Sequence, residues 1–281
     1  MKIGVQQFQL RYGFKNDKAA RKTLAEVKAL GLDGIELDDY LLTSLPWAIR
    51  LMAKAFGMAI PRTHGVRWQG DLEESGLQVL SLHVDLGSLE NPKRFAAIVE
   101  KAHAFKTSYV VITGMFRYDY SSYDAVLDLT RRLNAAGERL KKEGLALLYH
   151  NHNCEFRPCG EEKAFDVILR KSQSEFVNFE FDSYWCAECG ASPLEWMAKL
   201  GPRFKLYHIN DRGCKALGAL PSIVKSDSAE LGLGNLPLAD YIKEAESLGV
   251  EAIIIESHQN WLENSGLASL RYSVGYLRKH L

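Results

Sequence analysis

The chain has 281 residues, 47% of them hydrophobic and 25% charged, enough length and apolar content for one substantial core or two smaller ones. Lysine plus arginine and aspartate plus glutamate both number 35, so the formal net charge is zero and no basic excess steers the protein toward nucleic-acid phosphates. No apolar run approaches the ~20 residues that span a bilayer, so a small, locally recognised substrate is favoured over nucleic acid or membrane, with a cytoplasmic setting as the expectation.

In chain order, the N-terminal residues lack the long apolar core of a signal peptide, and 3–8 read as a first strand. Residues 17–30 follow as a helix, with Asp17 as the expected cap and Ala20, Leu24, Val27 and Leu30 as its apolar stripe. Gly31 ends that helix and 32–37 form the second strand, so the first forty residues spell a right-handed parallel crossover. Pro46 opens a helix reaching Phe56, a short helix falls within 64–76, and 78–84 form the third strand. Asn91 and Pro92 start a helix to about Lys106, 109–113 is the fourth strand, and a helix over 123–142 is closed by Gly144.

The fifth strand is the LALLYHNH stretch at 145–152, followed by a helix over 162–171 and a sixth strand ending at Asp182. A helix over 193–200 leads to a seventh strand ending at His208. The segment 211–236 is expected as a glycine-rich loop, in which Glu230-Leu231-Gly232-Leu233-Gly234 reads as backbone approaching a ligand closely. A helix over 238–248, a strand ending at Glu256 and a helix over 262–281 complete the chain.

Eight strand–helix units over a length near ~250 residues predict a closed (β/α)8 TIM barrel, a single domain over 1–281, with its site at the C-terminal ends of the strands. The rival is a doubly wound open sheet. That fold would place a phosphate-binding glycine loop after an early strand, and neither Gly4-Val5-Gln6 nor Gly31-Leu32-Asp33-Gly34 has the spacing.

The windows 145–150, 177–182, 203–208 and 251–256 close on His150, Asp182, His208 and Glu256, each a residue type that binds metals through nitrogen or oxygen. Side chains two apart on a strand share a face, so terminal ligands at equal depth would converge. The bland reading is a polar residue ending each strand. The cysteines are odd in number, and Cys186-Ala-Glu-Cys189 has zinc-like or redox-like spacing, but no second pair completes a four-cysteine site; ordinary thiols in a reducing compartment are expected.

These segments resemble the sugar-phosphate isomerase/epimerase family, the xylose isomerase-like TIM barrels. The likeness runs through nearly the whole chain in LGLDGIEL, YHNHNCEF, FEFDSYW, SPLEWMAKLGPRFKLYHIND, ELGLG and IIIESH, with YHNH and HIND as the most specific pair. The resemblance implies one divalent metal ion, Mn, Co, Zn or Mg, held by a Glu, an Asp, a His and a second Glu from strands five to eight. Asp182, His208 and Glu256 carry over, whereas the strand-five place is His150, which removes one negative charge and one acid/base carboxylate.

Dehydratase-like relatives use a histidine at the place of His152 for proton transfer, so the resemblance makes His152 and Glu256 the expected catalytic residues. Glu155 stays open as an alternative ligand from the loop or as a substrate contact. Glu36, His83 and Asp85 are placed to bind sugar hydroxyls, Trp185 to stack on a sugar face, and Asn210 and Asp211 to orient His208.

A cation bound to a carbonyl and a neighbouring hydroxyl stabilises the enediolate formed when the intervening carbon loses its proton, and a positioned base adds ~10²–10⁴-fold. Protonation elsewhere gives isomerisation, return to the opposite face epimerisation, and loss of a β-hydroxyl dehydration. The expected activity is a metal-dependent isomerase or epimerase of a sugar or keto-sugar, with a lyase of the inosose dehydratase or keto-glycoside type as the alternative that His150 favours. Apurinic endonucleases share the resembled barrel but need more ligands and a basic surface. A non-catalytic sugar-binding barrel and a homo-oligomer both stay open.

Overall fold

The computed structural model describes residues 1–55, 59–115, 118–214 and 226–281. Eight parallel strands, β1 (Lys2–Gln6), β2 (Gly34–Asp38), β3 (Gln78–Val84), β4 (Tyr109–Thr113), β5 (Ala146–His150), β6 (Val177–Asp182), β7 (Phe204–Ile209) and β8 (Ala252–Ile255), close in the order β1-β8-β7-β6-β5-β4-β3-β2. The helices are α1 (Asp17–Ala29), α2 (Trp47–Ala55), α3 (Trp68–Ser75), α4 (Leu86–Glu90), α5 (Pro92–Ala104), α6 (Tyr123–Lys142), α7 (Ala164–Lys171), α8 (Ser183–Glu188), α9 (Pro193–Leu200), α10 (Leu238–Ser247) and α11 (Gly266–Leu277). Strands such as β2 are buried along their whole length, as a parallel sheet covered on both faces requires. The residues fall into two compact units, one of Met1–Val79, Ile209–Lys243 and Ile253–Leu281, the other of Leu80–His208 and Glu244–Ala252.

In the first unit, β1 stops two residues short of Phe8. The side-chain oxygen of Gln6 takes the Phe8 amide and turns the chain into a 3-10 segment over Gln7–Gly13. The cap of α1 is Asn16 rather than Asp17: the Asn16 side chain accepts the Ala19 amide at 3.0 Å, while Asp17 pairs with Arg21 and Arg67. The helix buries Ala20, Leu24 and Val27 and ends at Gly31, whose φ of 77° suits the left-handed turn. The expected end of α2 at Phe56 lies outside the described residues.

The glycine-rich segment after β7 is more ordered than a loop. Asp211–Gly213 pairs antiparallel with Asp227–Ala229, and 215–225 lie outside the described residues. The Asp211 carboxylate accepts the amides of Arg212, Gly232, Gly234 and Leu236 at 2.8–3.2 Å. A Cβ on Gly234 would overlap that carboxylate and the Arg212 carbonyl. The glycines thus let backbone wrap an internal anion, which corrects their reading as a ligand approach. It also gives Asp211 a different task from orienting His208; Asn210 meanwhile donates to Ser228 Oγ at 2.8 Å.

In the second unit, α4 is an element the sequence pattern did not show. Its cap is Asp85, which accepts Ser88 N and Ser88 Oγ, so Asp85 holds a helix terminus instead of a sugar hydroxyl. α5 opens at Asn91 with Pro92 in its first turn, as expected. α7 starts at Ala164 because Glu162–Lys163 is taken up in an antiparallel pairing with Pro158–Cys159. The aromatic core here centres on Phe165, with Phe156, Phe179 and Trp196 all within 5.6 Å centroid to centroid.

The pairing between β6 and β7 sets the level of the site. It begins at Phe179↔Phe204 but slips one residue, so that Glu180 faces Leu206 and Asp182 faces His208. Without the slip Asp182 would stand level with Tyr207, whose side chain points to the other face.

Candidate active site

Strand alternation decides which side chains reach the site. Tyr149 of β5 and Phe179 of β6 both pack on Phe165, so their neighbours His150, Glu180 and Asp182 point the opposite way. His150 stands level with Glu180, and Asp182, two residues on, stands level with His208. Window counting implies one depth for these strand ends, whereas His150 stands two residues below the level of Asp182 and His208. Even so, one ligand atom from each of His150, Asp182 and His208 lies within 4.8 Å of the others, and all three residues are buried.

Glu180 is completely buried, and its Oε2 lies 2.9 Å from His83 Nε2, 3.1 Å from His150 Nδ1 and 3.4 Å from His208 Nε2. His83, expected among sugar contacts, thus belongs to a second group of four, His83, His150, Glu180 and His208, whose ligand atoms also lie within 4.8 Å of one another. Its Nδ1 is 3.1 Å from Thr113 Oγ1. His150 Nε2, the other ring nitrogen, faces Asp182 Oδ2 at 4.0 Å.

Asp182 is fixed through its backbone. The buried amide of Asn151 accepts the Asp182 N–H at 3.0 Å and donates to the Asp182 carbonyl at 3.1 Å, imitating a strand partner. Asp182 Oδ1 then caps α8 by accepting the Trp185 amide, which leaves Oδ2 for the site.

His152 lies beyond the end of β5, so strand parity does not place it. Its amide donates to Glu155 Oε2 at 3.0 Å, and its ring stands edge-on to His150 and to Trp185 at 5.2 and 5.5 Å. Glu155 is fully buried; its other oxygen accepts from Tyr149 OH at 2.8 Å, and Tyr149 OH lies 2.9 Å from Tyr120 OH. Burial pushes the Tyr149 phenol well above its usual range, so it stays a neutral donor to Glu155.

In the other unit, Glu256 follows β8 directly and is 9% exposed, with Oε1 3.0 Å from His258 Nε2. The neighbouring Ser257 amide donates to Gln9 Oε1 at 2.8 Å. Arg11, 5% exposed, donates to the carbonyls of Phe8, Ala59 and His258 and lies over the Phe8 ring at 4.1 Å. Desolvation lowers its pKa, against an opposing pull from the nearby acidic groups. Glu36 is fully buried on β2, level with Gln6 of β1.

Glu180, Asn151 and His258 are the residues that pattern reading missed. The signal for Glu180 was available, since it precedes Asp182 by two and must share its face. Asn151 sits between two histidines and draws no notice as a chemical group.

The model of the xylose isomerase-like TIM-barrel family matches residues 24–280. Among solved structures, a sugar phosphate isomerase/epimerase from Parabacteroides distasonis ATCC 8503 aligns with a TM-score of 0.75 at 19% identity, covering 99% of this chain and 93% of that one. The probable 3-DHS dehydratase AsbF of Bacillus anthracis aligns at 0.69 with 14% identity over 99% of each chain. The IOLI protein, solved with a zinc atom, aligns at 0.68 with 14% identity over 100% and 98%. No curated protein matches. Identities this low establish a common fold, and the family match covers most of the sequence: the chain belongs to the xylose isomerase-like TIM-barrel family.

Proposed function

We propose that the protein is an isomerase or epimerase of a sugar or keto-sugar that uses one divalent cation, Mn, Co, Zn or Mg, and that residues 1–281 act as one barrel domain. The observation that carries this reading is the donor set: His150, Asp182 and His208 each offer a ligand atom within 4.8 Å of the others, and all three are buried; Glu256 is proposed as the fourth ligand. A buried carboxylate needs a counter-charge beside it, and two neutral imidazoles add donors without adding charge. The 4.0 Å between His150 Nε2 and Asp182 Oδ2 is too long for a hydrogen bond, yet within the span of two ligands each ~2.1 Å from one centre.

When bound, the cation supplies Lewis-acid stabilisation of the charge that develops on substrate oxygens as a neighbouring carbon loses its proton. The chain's own residues do the rest. His152, through a ring nitrogen, and Glu256, through its carboxylate, remove and return that proton. Trp185 covers a sugar face beside His152, while Glu36 receives a hydroxyl. Glu155, whose oxygens are taken by Tyr149 and the His152 amide, acts through His152.

Protein stripped with a chelator and reloaded is expected to bind one cation per chain and to interconvert keto-sugars. Glu256→Gln is expected to keep the circular dichroism of the wild type and lose ~10²-fold or more of turnover. Wild-type turnover in that variant refutes its role, and no bound cation after reloading refutes the metal reading.

A lyase is the second reading, and His150 favours it: an imidazole stands where paired acid/base carboxylates would serve epimerisation. Incubation with a keto-inositol separates the two, since a lyase product has lost water by mass and an epimerase product has not.

A further inference from the structure

We infer that Glu180 is a positioning residue: its Oε2 accepts the Nδ1 proton of His150 and thereby presents the Nε2 lone pair to the cation. The inference rests on the metal reading above. An ionised carboxylate can only accept, so the 3.1 Å contact makes Nδ1 the donor and leaves Nε2, 4.0 Å from Asp182 Oδ2, as the unprotonated nitrogen on the side of the ligand set. The same oxygen lies 2.9 Å from His83 Nε2, which makes that nitrogen a donor too and turns the Thr113 hydroxyl toward His83 Nδ1 as its donor.

Burying a carboxylate alone is costly, and two charge-assisted bonds from imidazoles offset that cost. Glu180 and Asp182 then divide the work of one strand face. The first sets a ring at hydrogen-bond length, and the second stands beyond that length, where a shared ion fits. A histidine ligand whose second nitrogen is held by a carboxylate binds metal in one tautomer and one ring orientation.

The test reads the tautomer in metal-free protein and the affinity separately. Ring ¹⁵N shifts of His150, assigned by their loss in His150→Gln, are expected to show Nδ1 protonated and Nε2 bare. Glu180→Gln keeps an accepting oxygen, so the tautomer should hold and zinc affinity should fall less than ~10-fold. Glu180→Ala should give mixed tautomers and a ~10–100-fold loss, with circular dichroism confirming the fold.

Nδ1 found bare in the wild type overturns the inference whether or not metal binds. Unchanged tautomer and affinity in Glu180→Ala overturn it as well. Complete loss of zinc binding in Glu180→Gln assigns Glu180 as a ligand and also overturns it. Failure of the wild type to bind zinc, with the tautomer as expected, removes the metal reading and leaves the ring assignment standing.

Discussion

Gly114 follows β4 and has no side chain because Glu155 and His152 occupy the space one would need: a Cβ there would overlap Glu155 Oε1 and press on His152 Nδ1. Gly114→Ala is therefore expected to push the His152 loop outward while leaving the cation ligands in place. Turnover should fall ~10²-fold, near the worth of a positioned base, with zinc affinity within ~3-fold of wild type and a stability cost of ~1–3 kcal/mol. Unchanged kcat would show that the Glu155 support is dispensable. The cysteines are a second test at this scale. Burial, then the charge of Glu155, raises the half-buried Cys154 thiol, burial raises Cys186 and Cys189, and Cys214 is exposed. At pH 8 an alkylating reagent should label Cys214 in folded protein and reach Cys186 after denaturation, read by peptide mass; early labelling of Cys186 would contradict its buried setting. Much of the site's residue content was legible because a buried strand ending in His or Asp is conspicuous. Asn151 was not, since it acts on backbone, a role any small polar side chain can fill.

Among the elements, β3, β4, β6, α6 and α9 have the boundaries that periodicity indicated, because alternation and caps such as Ser122 are local properties. The slip between β6 and β7 was not legible. It depends on which residues face each other across strands, and no pattern within either strand encodes it. α4 and α8 escaped for the opposite reason: they are short and begin at carboxylates, Asp85 and Asp182, that read as chemistry. Arg203 shows how the base of this region is tied. Its guanidinium donates to the carbonyls of Leu169 and Val177 and to Ser172 Oγ, and lies 4.7 Å from the Phe179 centroid. Desolvation lowers its pKa to about 10, so it remains charged at neutral pH and this contribution to stability is flat there. Arg203→Met would strand two carbonyls and is expected to cost ~2–4 kcal/mol, seen as a lower urea midpoint with an unchanged slope. Arg203→Lys should recover little, because an ammonium cannot reach three acceptors from one planar fork. Full recovery by lysine would mean that charge, not the fork, is what counts.

For the molecule as a whole, the family was legible and the reaction was not, because (β/α)8 barrels in general share their strands and differ in what the strand ends carry. A thermodynamic test of the whole chain does not need the substrate. The folded protein collects Asp182 with the imidazoles of His150 and His208, and the unfolded chain disperses them. Any cation that binds the folded form alone stabilises it by mass action, by about 2.7 kcal/mol at a free concentration ~100 times its dissociation constant. For a chain of this size each kcal/mol moves the melting midpoint by ~2–4 °C, so saturating Mn or Zn should raise it by ~5–11 °C above the chelated protein. The same titration on Asp182→Asn should give less than half that shift, since one charged ligand is gone while the Asn151 bonds to the backbone of residue 182 persist. Equal shifts in both proteins would mean that the cation binds elsewhere. A wild-type midpoint indifferent to every divalent ion would mean that His150, Asp182 and His208 meet for reasons of packing alone.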